Sequence, residues 1–269
     1  MTSCAKLLLA VALAAAFFCH DGVAHGAGPV PADMVLVAAG EFLMGSSAEE
    51  IQALKKEFGK RDLYKDYSFD AETPKRKVKL RAYYIDVTEV TNKQYLAFVS
   101  ATKYPAPFYW TGGNYPAGRG DSPVLYVSKK DAEAYAAWMH KRLPTEEEWE
   151  KAARGTDGRV FPWGSKFEPD KAATADSSLE LVLSGVKGGF SAITVSEAPG
   201  DISPYGVHDM AGNVREWTCT LSSDKKNLAI VKGASWVDLN ITARAAYREL
   251  VPVDSKSHIV GFRCVKDVE

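Results

Sequence analysis

Residues 208–217 read His208-Asp-Met-Ala-Gly-Asn-Val-Arg-Glu-Trp217. Asp209 opens the stretch, Gly212 permits a tight turn, and the residues that follow suit a strand. That is an Asp-started turn running into β-structure. The same residues admit a second reading: the side chains of Asp209 and Glu216, with the carbonyls of Gly212 and Val214, form the oxygen-rich set that calcium prefers. Spacing alone leaves both readings open.

Downstream, Ala229-Ile-Val-Lys-Gly-Ala-Ser-Trp236 and Ile259-Val-Gly-Phe-Arg-Cys-Val265 read as closing strands. Upstream, residues 155–213 hold many Gly, Pro, Asp and Ser residues and no helical period, which predicts irregular structure. Before them, helix starts carry a common signature: Ser or Thr with an acid or Gln three residues on. Ser47 with Glu50, Thr91 with Gln94, Ser128 with Asp131 and Thr145 with Glu148 all fit it. Glu146, Glu147 and Glu148 fall in a first helical turn, where they meet the positive end of the macrodipole. Strands are expected at Val78–Leu80 and Tyr83–Val87, and Met34-Val-Leu-Val with Glu41-Phe-Leu-Met predicts a hairpin around Ala38–Gly40. One α+β domain over residues 34–269 follows, since nothing divides the chain.

The 269 residues carry 33 basic against 34 acidic side chains, so binding driven by phosphate neutralisation is disfavoured. Histidines 140, 208 and 258 form no close-spaced pair, and there is no nucleophile elbow, phosphate loop or dinucleotide fingerprint. At the start, Lys6 precedes an apolar run from Leu7 to Cys19, about 20 Å as a helix and short of a bilayer core. With the small residues Ala24 and Gly26 around His25, this predicts a signal peptide over 1–26, a leader over 27–33 and a periplasmic or secreted protein. Export leaves Cys219 and Cys264 as the cysteines of the mature chain. Such a pair predicts a disulfide worth about 4 kcal/mol, two free thiols being the alternative.

Further stretches complete a pattern: Arg142-Leu-Pro-Thr-Glu-Glu-Glu-Trp-Glu-Lys-Ala-Ala-Arg-Gly155, Phe161-Pro-Trp-Gly164, Asp209-Met-Ala-Gly-Asn-Val-Arg-Glu-Trp-Thr218, Lys232-Gly-Ala-Ser-Trp236 and Gly261-Phe-Arg-Cys264. In this order, with Met34–Gly45 and Asp86–Asn92, they resemble the formylglycine-generating enzyme, or sulfatase-modifying factor, family. The resemblance runs from about residue 34 to 267. It implies a C-type-lectin-like topology with little regular structure. It also implies calcium at Asp209, Gly212, Val214 and Glu216, and another calcium site from Asp176 and Ser177 to Gly188 and Phe190, where Gly188 replaces a carboxylate.

Active relatives oxidise a substrate cysteine with oxygen and a copper ion held by two cysteines. Here those positions are Asp238 and Ala243, which supply no thiolate for Cu(I). The family's structural partner for Cys264 is absent near Ala153, so a bridge would join Cys219 to Cys264. Iron-dependent relatives use histidines from an additional helical domain that this chain lacks. The resemblance therefore implies an accessory or maturation factor acting on an exported protein or peptide-derived product. Its groove would lie near Ser235, Trp236 and Asp238, with Arg215 on the wall. An ordinary alternative places Trp236 in the core, Ser235 in a turn and Asp238 in a salt bridge with Arg215. Two other functions remain open: an oxidoreductase with altered chemistry at Asp238, or a lectin-like binding module.

Overall fold

Hydroxyl-bearing caps start the four α-helices of the described residues, as the sequence signature predicts. The computed structural model describes residues 31–58, 69–177, 192–225 and 227–269. In it, Ser47 and Glu50 exchange both bonds of a capping box ahead of α1, Ala48–Phe58. Thr91, Ser128 and Thr145 do the same ahead of α2 (Asn92–Thr102), α3 (Lys129–Trp138) and α4 (Glu146–Arg154). Each cap satisfies backbone N–H groups that the first helical turn leaves unpaired, worth about 1 kcal/mol. The expected signal peptide, most of the leader, Gly188 and Phe190 lie outside the described residues.

Among the described residues nine strands form three small sheets: β1 (Met34–Val37), β2 (Gly40–Met44), β3 (Arg76–Leu80), β4 (Tyr83–Asp86), β5 (Arg215–Leu221), β6 (Leu228–Lys232), β7 (Arg248–Pro252), β8 (Val260–Gly261) and β9 (Val265–Asp267). Their orders are β1-β4-β9, β2-β3 and β7-β6-β5-β8. Among these strands only the β5–β8 pairing is parallel. The expected hairpin does not form, because β1 pairs with β4 and β2 with β3. Lys151 explains the separation. Its ammonium donates to the carbonyls of Ala38 at 2.6 Å and Gly40 at 3.1 Å, pinning the connection open between two sheets.

Between α4 and β5 the described residues contain neither helix nor strand, in accord with the composition of that stretch. A core rich in aromatic rings lies among α2, α3, β5, β6 and β8. Tyr135 lies 5.7 Å from both Tyr95 and Phe98 and 5.4 Å from Phe262. Trp217, fully buried, donates its indole N–H to the Val127 carbonyl at 3.0 Å. Among the described residues no helix is long and apolar enough to cross a membrane.

The α4 glutamates act structurally. Glu147 pairs with Arg76, Glu148 takes a two-pronged contact from Arg142, and Glu146 pairs with Arg248. The disulfide expectation is corrected: Cys219 and Cys264 are both free thiols. Arg142 pairs with Val265, while the Pro144 carbonyl accepts the Cys219 N–H, so the two cysteines border different ends of one segment.

Candidate functional site

The loop leaving β6 is anchored by a buried charge. Lys232 is fully buried, with its ammonium 3.0 Å from Glu150 and 5.7 Å from the centre of the Trp149 ring. Gly233 follows at φ +76°, where an added Cβ would stand 3.2 Å from the Trp149 ring. A residue without a side chain is therefore suited to this turn. The chain then closes a turn in which the Ser235 N–H and hydroxyl donate to Asp238 Oδ2 at 2.7 and 2.6 Å.

Arg215, at the start of β5, completes the arrangement. Its Nε and Nη2 donate to Asp238 Oδ2 and Oδ1 at 2.8 and 2.6 Å, and its Nη1 donates to Glu249. Burial opposes the guanidinium charge, but hydrogen bonds and charges from Asp238 and Glu249 outweigh it and hold Arg215 above its ordinary range. Both Asp238 oxygens are thus occupied and the side chain is buried. This is the salt-bridge alternative of the sequence, and it leaves Asp238 no free oxygen for acid–base work.

Trp236 lies beside this network rather than within it. Half-buried against Leu125, Ala192 and Val214, it presents its ring 6.2 Å from His258. His258 faces Tyr126 at 6.3 Å, and Tyr126 meets the exposed Phe108 at 4.6 Å. Arg215, Ser235 and Asp238 are therefore brought together as expected, with Trp236 on an aromatic shelf alongside. Sequence reasoning missed Glu249, Tyr126, His258 and Phe108.

The calcium set is arranged differently from expectation. Glu216, fully buried, receives Arg263 on both oxygens at 2.7 Å and the Trp149 indole N–H at 2.9 Å. Asp209 accepts the Ser196 N–H on Oδ2 at 2.6 Å and keeps Oδ1 without a partner. Gly212 approaches Ala173 so closely that a Cβ would stand 2.6 Å from its carbonyl oxygen. As the side chains stand, Asp209, Gly212, Val214 and Glu216 do not fit calcium, because a guanidinium already neutralises one of the two carboxylates. Among the described residues no group of three or more His, Cys, Asp or Glu side chains is placed to hold a metal.

Buried oxygens of Glu89, Asp201 and Asn213 also lack hydrogen-bond partners nearby, with Arg263 standing 4.0 Å from that of Glu89. Asn213 donates to the other Glu89 oxygen at 3.0 Å. Burial pushes Glu89 and Asp201 well above the usual carboxylate range, and Asp209 up to about 6. At the second calcium position, Asp176 accepts the Asn240 N–H at 2.6 Å and Ser177 donates to Ala172.

Copper does not fit either. Position 243 carries a fully buried methyl among Phe161, Ala172, Ala211 and Ala234, and position 238 a carboxylate held by arginine. Neither is the soft donor that Cu(I) requires.

Taken together, fold and site define a single α+β domain in which buried ion pairs hold long irregular loops. The chain belongs to the family described as the sulfatase-modifying factor enzyme 1-like domain, whose model matches residues 24–268. It is 33% identical to an inactive Cα-formylglycine-generating enzyme 2 of Mus musculus, covering 86% of this chain and 84% of that one. To the formylglycine-generating enzyme of Bos taurus it is 30% identical, over 88% of this chain and 75% of that one. Among solved structures, PvdO from Pseudomonas aeruginosa superposes with a TM-score of 0.68 at 23% identity, over 91% of this chain and all of that one (100%). CarF gives 0.62 at 20% identity, over 90% of this chain and 100% of its own. These two structures establish the shared fold.

Proposed function

We propose that this chain is an exported, divergent member of its family. It acts as an accessory or maturation factor on an exported protein or peptide-derived product, without copper-dependent cysteine oxidation. One observation carries this reading: Asp238, at a copper-ligand position, is bound by Arg215 and Ser235, and Ala243, at the other, is a buried methyl. The similarity to a relative named inactive agrees with it. The surface for the partner is the shelf of Trp236, His258, Tyr126 and Phe108, with the Arg215–Asp238 pair fixing its edge. Aromatic faces supply contact area at little entropic cost, which suits peptide recognition.

The decisive experiment incubates the purified protein, supplied with copper and oxygen, with a cysteine-bearing peptide. Mass spectrometry is expected to show the thiol unchanged, and conversion to an aldehyde rejects the proposal. Export is tested separately by sequencing the N-terminus of the secreted or periplasmic protein, which is expected to begin at Ala27.

A further inference from the structure

Beyond the Trp236 shelf, the loop bearing Asn240, Ile241 and Arg244 forms one wall of a cavity of about 440 Å³. Helix α1 forms another wall through Leu54, Glu57 and Phe58, and the 160–167 segment a third through Phe161, Lys166 and Phe167. The volume is within the range of small-molecule sites. Phe161 and Phe167 lie 5.6 Å apart, and Phe161 stacks on Trp163 at 5.3 Å, so this wall is a packed aromatic unit. The Trp163 indole N–H donates to the Lys166 carbonyl at 2.9 Å and fixes the backbone from which Lys166 projects.

Charges in this lining divide into two kinds. Glu50 pairs with Lys75 at 2.6 Å, Arg154 with Glu150 at 2.9 Å, and Arg244 with Glu72 through two contacts of 2.6 Å. Each of these is neutralised within the fold. Glu57 and Lys166 are exposed, stand on different walls and make no ion pair among the described residues. An apolar, aromatic-walled volume with one charge of each sign unpaired among the described residues complements a ligand of matching form.

We propose that this cavity binds a small hydrophobic zwitterion of the apolar α-amino acid class. The side chain enters among Leu54, Phe161, Phe167 and Ile241, the ammonium meets Glu57, and the carboxylate meets Lys166. This site is separate from the Trp236 shelf and stands whether or not the accessory role is correct.

Isothermal titration of the purified protein with L-tryptophan, tryptamine and indole-3-propionate tests the proposal. L-tryptophan is expected to bind saturably at one site, and each analogue, lacking one charge, about 10-fold more weakly. Lys166→Glu should weaken L-tryptophan about 10-fold while sparing tryptamine. Ala53→Trp, which fills the volume from α1, should abolish binding without shifting thermal unfolding. If Ala53→Trp does not fold, the exposed Ser165→Trp on the facing wall replaces it. Absence of saturable heat at millimolar L-tryptophan overturns the proposal. So does equal affinity for all three probes, or undiminished binding to the folded tryptophan variant.

Discussion

The two flanks of the loop after β6 make a contrast. On one, Asp238, Arg215, Ser235 and Glu249 satisfy one another, and the surface that remains is aromatic. On the other, Arg244 and Arg154 are equally paired, yet the walls do not meet, and Glu57 and Lys166 line the gap with no ion pair among the described residues. A charged residue's chemistry thus depends on what its neighbours leave free. Charges that stabilise the loop are unavailable to a ligand, and charges available to a ligand contribute little to stability.

The contrast breaks first at the shared root of both flanks. Lys232→Met leaves Glu150 and Glu146 buried without their common ammonium, and is expected to cost about 3–5 kcal/mol. At roughly 2–4 °C per kcal/mol, thermal unfolding should drop by about 10 °C. On the closed flank, Asp238→Ala strips Arg215 and the Ser235 N–H of their acceptor and should cost about 2–3 kcal/mol in urea unfolding. Asp238→Asn should recover part of this, since its amide oxygen still accepts from Ser235.

Beneath the same flank, the acid cluster gives an effect of opposite sign. Burial raises Asp209 to about 6 and Glu89 well up, so near pH 5 the folded chain holds protons that the unfolded chain has released. Stability is therefore expected to fall as pH rises from about 4 toward 6, and the penalty persists above that range. Asp209→Asn keeps the acceptor for Ser196 and turns an amide donor toward the unpartnered oxygen of Glu89. It should raise stability at pH 7.5 by about 1–2 kcal/mol, more than at pH 5, read out as a higher melting temperature. A calcium chelator should leave both proteins unchanged.

The smallest effects belong to the positions that hold no network. Ala53→Trp on the open flank and Cys219→Ala should each change stability by about 0.5 kcal/mol or less. A loss of several kcal/mol for Cys219→Ala would instead indicate the disulfide that the cysteine count suggested.

Much of the local structure was legible because its determinants are local. A hydroxyl three residues from an acid or glutamine satisfies the same helix whatever the surroundings, and all four capping boxes formed. The β1–β2 hairpin misled because its alternative depends on Lys151, more than a hundred residues away, reaching two carbonyls of the connection. Glu249 and the aromatic shelf were invisible for a similar reason, since nothing in their own neighbourhoods marks them as partners of residues 215 and 236.

From its residues alone the chain declared its family, its helix starts and the missing thiolates at 238 and 243, because each is a matter of composition or short spacing. Tertiary structure alone decided which carboxylates remain open to a ligand. Arg263 captures Glu216, Arg215 captures Asp238, and Asp209 keeps a bare oxygen. Ion pairing in a buried setting depends on separations of a few ångströms, and only the folded backbone brings distant residues within that range.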